Sequence, residues 1–361
     1  MNKPKIRFKG FEGEWKDSML SDFSYSICSG RDTAHKGIYP LYGSTGIIGT
    51  TNKPSYNGAM LLVARVGANA GKLQIINEEC GVSDNTLIIK PNGNISVSWL
   101  YYYLVHCNLN HLVYGSGQPL ITGYMLKRIP ILLGSKKECD EIASYFTSLD
   151  AQIAASTSRL SSLKQIKAAS LLNMFPQKGE SVPRVRFKGF QGEWKERKLG
   201  EVCLVNRGVR ITRKDLSNAE GYPVFQNTNY PLGFYQYYNV EAKNPFVIIG
   251  GSAGLIGFSN KEFWAADDCV YFKDKEETDK SFLYNILCSH EAEIKKEVRG
   301  SSVPRLDRSI LEKLRINLPS LPEQRAIASY FTTLDAQITL QRERLEKLKQ
   351  IKAACLEKMF A

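Results

Sequence analysis

The chain has 361 residues, 43% of them apolar and 23% charged, and a formal charge of +12. That length predicts two or three domains with cores of their own, while no apolar stretch approaches the roughly 20 residues a membrane helix needs and no apolar run follows Met1-Asn-Lys-Pro-Lys5 as a signal peptide requires. The eight cysteines are scattered without the spacing of a disulfide framework or a zinc site, so a reduced cytoplasmic protein is expected, and the basic excess suggests a polyanionic partner.

The first recognisable stretch is Ile6-Arg-Phe-Lys-Gly-Phe-Glu-Gly-Glu-Trp-Lys16, and it returns as Val185-Arg-Phe-Lys-Gly-Phe-Gln-Gly-Glu-Trp-Lys195, 179 residues later. Between Leu20 and Gly134 lie β-rich apolar runs, Met60-Leu-Leu-Val-Ala-Arg65 and Thr86-Leu-Ile-Ile-Lys90, separated by Gly-rich turns. A helix is predicted over Val97–Val113. Its tyrosines Tyr101, Tyr102 and Tyr103 suit core packing better than stacking on bases. A strand, Arg128–Leu133, closes the segment.

Residues 135–175 then have the pattern of one long helix. Ile142, Phe146, Leu149, Ile153, Leu160 and Leu163 step by threes and fours along one seam, with Ser156 as its polar interruption. The polar stretch Pro176–Pro183 follows as a linker. The second tag opens another variable segment, 184–319, on the same plan: Phe246-Val-Ile-Ile249, a Gly-rich turn, Cys269-Val-Tyr-Phe272, a helix near Lys280–Val298, and a strand Leu314–Leu318. Residues 320–361 repeat the long helix at an offset of 185, Ile327-Ala-Ser-Tyr-Phe-Thr-Thr-Leu-Asp-Ala-Gln-Ile338 against Ile142-Ala-Ser-Tyr-Phe-Thr-Ser-Leu-Asp-Ala-Gln-Ile153. Its seam is Ile327, Phe331, Leu334, Ile338, Leu345 and Leu348, interrupted by Gln341. Neither stripe can be hidden from water by its own helix, so each is the obvious partner of the other.

The sequence therefore divides into 1–134, a first recognition domain with its tag; 135–175, a first spacer helix; 176–183, a linker; 184–319, a second recognition domain; and 320–361, a second spacer helix. The fold class expected is mixed α/β, with two pseudo-twofold-related domains separated by an antiparallel pair of coiled-coil helices. Residues 1–180 hold 19 basic against 13 acidic side chains, and the remainder 29 against 23. Both halves thus carry the same modest positive excess, which suits a polyanion touched at two places. Near-identical ends around divergent middles suggest a common frame carrying different working surfaces.

Candidate contacts lie on the loops. Gly115-Ser-Gly-Gln-Pro119 aligns with Gly300-Ser-Ser-Val-Pro304, where small residues allow close approach to a phosphate. Ser116, Gln118, Ser301, Ser302 and the following Arg305 supply donors. Arg65, Asn69 and Lys72 surround two glycines in the first domain, and Asn227, Thr228 and Asn229 form a turn in the second. Arg and Asn are the side chains suited to bidentate contact with guanine and adenine edges, although exposed loop residues of these types are also ordinary solvated surface. Gly250-Gly-Ser-Ala-Gly254 matches a nucleophile elbow, which would make Ser252 a hydrolase nucleophile. The Leu255-Ile-Gly-Phe258 that follows is a poor helix start, so this reading is disfavoured. Asn244-Pro-Phe246 falls one Pro short of the adenine methyltransferase sequence, and no phosphate-binding Gly-rich loop is present. No catalytic or metal-ligating residue is assigned.

The order of tag, variable domain and long helix, given twice, resembles the specificity subunit of type I restriction-modification systems. The residues carrying the resemblance are the two Ile-Ala-Ser-Tyr-Phe helices, the Leu318-Pro-Ser-Leu-Pro-Glu-Gln-Arg325 lead-in and the two Gly-Ser-x-x-Pro loops; the first helix departs from it in starting after Gly134-Ser-Lys-Lys-Glu-Cys-Asp140. The resemblance implies a reader of double-stranded DNA without chemistry of its own. In such proteins each domain reads half of a bipartite, asymmetric target. Two methyltransferase subunits dock on the frame and bring S-adenosylmethionine, and restriction subunits bring ATP and Mg. The helix from Glu138 to Met174 would be about 55 Å long at ~1.5 Å per residue, comparable to some ~16 base pairs at ~3.4 Å each. A scaffold whose two domains bind protein or glycan ligands is the alternative in another class.

Overall fold

The computed structural model describes residues 3–113, 119–218 and 220–360. It divides into two compact units, the first made of Met1–Thr157 with Glu343–Ala361 and the second of Ser158–Arg342. The division falls inside both long helices, Lys136–Asn173 and Leu321–Lys358, of 38 residues each. Each begins with Ser-x-x-Glu. Ser135 Oγ accepts the Glu138 N–H at 3.2 Å, while Pro322 stands in the first turn of the second helix, where a missing N–H costs nothing.

In the first unit a four-stranded antiparallel sheet runs in the order Ser24–Ser29, Thr86–Pro91, Ala59–Ala64, Leu73–Asn77. Its strand Ala59–Ala64 is apolar without alternation because both faces are covered. Leu61 and Val63 enter the core beneath the helix Val97–Cys107, while Met60 and Leu62 enter a second core with Tyr42 and Val82. Tyr42 belongs to a smaller sheet in the order Gly46–Thr51, Tyr39–Gly43, Gly81–Val82, the last pair parallel. The second unit repeats the plan. Its larger sheet runs Cys203–Arg207, Cys269–Asp274, Asn244–Ile248, Ile256–Ser259, and its smaller one Gly233–Tyr235, Tyr222–Phe225, Trp264–Ala265. Val247 and Ile249 face one core, and Phe246 and Ile248 the other. A short strand from behind each tag, Lys16–Met19 or Lys195–Lys198, pairs antiparallel with the strand before the long helix, Pro130–Leu133 or Arg315–Leu318.

Two predicted helices are shorter than their periodicity suggests. The first is capped by Ser96 Oγ on the Trp99 N–H and stops at Cys107 because Asn108 turns left-handed, at φ 50°. A 3-10 turn, Leu109–Leu112, completes the stretch. The second breaks at His290 into Lys280–Ser289 and Glu291–Lys296. Tyr102 and Tyr103 are buried in the first unit's core, so these rings pack and are not open to bases. The predicted strand over 128–133 begins only at Pro130, after a short helix Gly123–Lys127.

Within each unit, stretches of both long helices pack antiparallel. In the first unit Lys352 donates to Asp150 at 2.5 Å, the Tyr145 hydroxyl meets Cys355 Sγ at 3.5 Å, and Phe360 stacks on Phe146 with 5.8 Å between centroids. In the second, Lys167 donates to both oxygens of Asp335 at 2.6 and 2.8 Å, and Ser170 and Tyr330 share a hydrogen bond of 2.9 Å. Leu163, Leu334 and Ile338 form a small cluster there with Leu160 beside them. Of the seam residues, Leu149 and Leu345 are also buried, and Ile153, Leu160 and Leu348 are half-buried. Ile142 and Phe146, like Ile327 and Phe331, serve the domain cores themselves.

The repeated tags clasp the helix starts. Arg7 donates to both oxygens of Glu138, at 2.5 and 2.9 Å, and to the carbonyls of Gly13 and Glu12; Trp15 Nε1 donates to the same carboxylate at 3.1 Å. Arg186 does the same to Glu323, at 2.7 Å for each oxygen, and to the carbonyls of Gly192 and Gln191. The tag backbone also bonds a helix end, Ile6 N–H to the Lys358 carbonyl and Val185 N–H to that of Asn173. The differing lead-ins therefore deliver equivalent glutamates. The 176–183 stretch is tied down within the second unit, its Ser181 carbonyl accepting the Trp194 N–H at 2.8 Å. Because Glu138 is fully buried, Glu138→Ala leaves the buried Trp15 N–H without an acceptor and Arg7 with only the Gly13 and Glu12 carbonyls, and should cost about 1–3 kcal/mol. Denaturant unfolding measures this, and an unmoved midpoint would show that the clasp contributes nothing to stability.

Candidate nucleic-acid interface

The strand Ala59–Ala64 runs out into a tight turn whose backbone is fixed at four points. Arg65 N–H donates to the Asn85 carbonyl, Gly67 N–H to that of Pro119, Ile121 N–H to that of Arg65, and Gly71 N–H to that of Ala64, all at 2.8–2.9 Å. The second unit has the same frame. Ile249 donates to Asp268, Gly251 to Pro304, Leu306 to Ile249 and Gly254 to Ile248, at 2.8–3.1 Å. The turn after the central strand is thus held beside Pro119 in the first unit and beside Pro304 in the second by bonds that use no side chain. The turn closed by Ile248 and Gly254 is one residue shorter than that closed by Ala64 and Gly71.

The side chains on this frame are not alike. In the first unit Arg65 is half-buried, its Nη1 on the Asp84 carbonyl at 3.3 Å and its Nε buried without an acceptor. Asn69 is half-buried on the turn and Lys72 is exposed at its exit. Ser116 and Gln118 lie outside the described residues. In the second unit the turn itself carries only small residues, and a neighbour reaches across it. The Asn227 carbonyl accepts the Ser252 N–H at 3.0 Å, and a Cβ on Gly251, whose φ is +80°, would lie 2.8 Å from the Asn227 Cβ. Asn227 is exposed, Thr228 and Asn229 half-buried. Ser301 and Ser302 are exposed on the loop after Gly300, and Arg305 donates to Asp268 Oδ1 at 3.1 Å. The fold therefore brings Asn227, Ser252, Arg305 and the 300–304 loop to one edge of the second unit, and Arg65, Asn69 and Lys72 to the matching edge of the first.

Two contributors escape a reading of the sequence. Ser44 and Thr45 line a shallow cleft of about 40 Å³ with Lys72 and Gln74. The hydrogen bond from Ser83 N–H to the Tyr42 carbonyl has its counterpart in Ala266 on Phe225, which makes Ser44 the structural equivalent of Asn227. Asp268 is the other, an acid where a polyanion site favours bases. No motif marks it, because only strand register brings it to Arg305.

Ser252 is not a nucleophile elbow. The chain after it turns into the strand Ile256–Ser259, so no helix holds the serine on a strained turn. Asn244 is buried in a strand opposite Ser259. Burial pushes the Cys80 and Cys107 thiols up to about 11, which keeps both protonated at neutral pH. No group of metal-ligating side chains occurs among the described residues, and no helix among them is long and apolar enough to cross a membrane.

Residues 12–165 and 191–350 each match the family model of the type I restriction modification DNA specificity domain. The chain belongs to this family. The two matches cover both variable segments and most of both long helices. Relatives agree at modest identity. The EcoprrI specificity subunit of Escherichia coli is 24% identical over 176 residues, 46% of this chain and 43% of that one. A putative specificity subunit of Haemophilus influenzae is 23% identical over 360 residues, 92% of this chain and 90% of its own. Against the E. coli protein and a putative type I specificity subunit of Mycoplasma pneumoniae, the chain spans less than half of the relative's length. The crystal structure of a type I S subunit from M. genitalium superposes with a TM-score of 0.78 over 99% of both chains at 17% identity, a likeness of fold.

The Gly251 position offers a direct check on the frame. Gly251→Ala forces a side chain into left-handed backbone against Asn227 and should cost about 1–3 kcal/mol. Faster exchange of the Ser252 amide, which donates to the Asn227 carbonyl, would accompany it. Unchanged stability and exchange would mean that the turn is not held as described.

Proposed function

We propose that this specificity-family chain reads double-stranded DNA at two half-sites, one per unit, and performs no chemistry itself. The observation that carries the reading is the pair of turns held by the same four backbone bonds and bearing non-equivalent side chains. One holds Arg65, Asn69 and Lys72; the other holds Asn227, Ser301, Ser302 and Arg305. A backbone frame independent of side chains can exchange its reading residues without losing its shape, and Arg, Asn and Lys are the donors that discriminate base edges in a major groove. Different residues on the same frame give a target whose halves differ.

On this reading two methyltransferase subunits dock on the chain and bring S-adenosylmethionine, and restriction subunits bring ATP and Mg, the assembly working in the cytoplasm. The chain holds none of these cofactors. Both long helices are shared between the units, so their length gauges the unread bases between the half-sites.

Co-expression with the methyltransferase subunit, followed by mapping of methylated adenines across a genome, should return one bipartite asymmetric motif. Scattered or absent methylation overturns the proposal. Exchanging residues 20–134 for a foreign counterpart should alter one half of the motif only; a change in both halves would contradict independent reading. A heptad inserted at matched levels near Thr157 and Arg342 should lengthen the unread spacer by about 3 base pairs, from ~1.5 Å per residue and ~3.4 Å per base pair. An unchanged spacer would show that something other than the helices sets the distance.

A further inference from the structure

Beside the frame in the second unit lies a surface that the reading of bases does not use. Residues 207–214, Arg-Gly-Val-Arg-Ile-Thr-Arg-Lys, carry four cations and no carboxylate. Arg207, Arg210, Arg213 and Lys214 are all exposed. Among the described residues the last three make no ion pair, and the next acid, Asp215, is occupied by the N–H and hydroxyl of Thr212 at 3.2 and 2.6 Å. Left to itself such a run would be a loose, self-repelling loop. Here its first three residues are fastened along the segment 264–269. Arg207 Nε donates to the Asp267 carbonyl at 2.6 Å, Gly208 N–H to Cys269, Val209 N–H to Ala265, and Trp264 Nε1 back to the Val209 carbonyl at 2.9 Å. The approach is close enough that a Cβ on Gly208 would sit 2.1 Å from the Ala266 carbonyl oxygen.

Aromatic rings flank the loop. Trp264 meets Tyr235 edge-on at 5.0 Å, Tyr235 meets Tyr237 at 5.6 Å, and Tyr237 is 59% exposed. The same segment holds Asp268, the partner of Arg305, so the cationic loop continues the edge that carries the reading residues. The first unit differs at the matching place. There Gly30 N–H bonds the Thr86 carbonyl as Gly208 bonds Cys269, but residues 29–36, Ser-Gly-Arg-Asp-Thr-Ala-His-Lys, hold only Arg31 and Lys36 against Asp32. That carboxylate is spent on the Val82 N–H at 2.8 Å and the Ser55 hydroxyl.

We propose that the Arg207–Lys214 loop, with Tyr235, Tyr237 and Trp264 beside it, grips the sugar-phosphate backbone of the DNA independently of sequence, and that the first unit has no equivalent grip. This rests on the DNA reading given above. Fastened at 207–209 and closed by the short turn Arg213–Asp215, the loop holds unpaired cations at the rim of the reading edge, where phosphates neighbouring the half-site pass. Their charge carries no base information, so they hold the duplex while Asn227 and Arg305 discriminate. The even division of net charge between the two halves of the sequence conceals a one-sided hold.

The test uses the full chain assembled with its methyltransferase subunits, and duplexes with and without the mapped motif, titrated over a range of salt. Withdrawing one cation from a phosphate lowers the slope of log affinity against log salt by about 0.9. Arg210→Ala/Arg213→Ala/Lys214→Ala should lower it by roughly 2–3, weaken motif and random duplex by the same factor, and leave the methylated sequence unaltered. Arg31→Ala/Lys36→Ala should lower it by less than about 1. Should the triple variant melt early, charge reversal by Lys214→Glu gives the same readout. A slope unmoved by these changes, an equal loss from the first-unit pair, or an altered motif would each overturn the proposal. A wild-type assembly that prefers no duplex would instead overturn the DNA reading on which it rests.

Discussion

Neither domain core is complete without the far end of the other long helix. Phe360, next to the end of the chain, lies between Phe146 and the helix Val97–Cys107 of the first unit, 6.1 Å from Trp99 and 5.7 Å from Tyr103. Phe175 takes the same place in the second unit, against Trp194, Phe282 and Phe331. Both rings are all but fully buried. Burying a phenylalanine stabilises by roughly 1.5–3 kcal/mol. The ion pairs alongside, Lys352 on Asp150 and Lys167 on Asp335, have partners 21–38% exposed and by comparison contribute at most about 1 kcal/mol each. The apolar ends of the helices hold the arrangement, and the ion pairs align it.

This explains why the helices and tags are nearly identical in the two halves while the middles are not. A side chain in the helix or clasp must fit several partners at once. Arg7, for example, serves a buried carboxylate and two carbonyls. The working edge has no such demand on it. There the backbone is fixed by its own hydrogen bonds to the neighbouring segments and not by its side chains, so Ala68 and Asn69 can stand where the other unit has Ser252 and Ala253. The same freedom lets a cationic loop lie along one unit and a nearly neutral one along the other. Duplication preserved what must be packed and released what only needs to be presented.

The helices, the tags and the order of parts were legible in the sequence because each is a local or repeated pattern. A seam spaced by threes and fours and a β-rich run of four apolar residues are set within a few turns of chain. The limits of the shorter helices were not legible. Nothing in the periodicity of 97–113 shows that Asn108 will adopt φ 50°, since the apolar residues beyond it continue the pattern. The Arg7–Glu138 clasp was hidden for a different reason, as its partners are separated by 131 residues.

The sequence by itself determined that the chain is a duplicated α/β protein with two long amphipathic helices and two divergent middles, because hydrophobic periodicity and repetition are written residue by residue. Only the tertiary structure decided which loops share an edge. That Gly67 meets Pro119 and Gly251 meets Pro304, that Asn227 overlies the glycine turn, and that Arg305 faces Asp268 follow from strand register. Register is fixed by the packing of whole faces and leaves no mark on any short stretch of sequence.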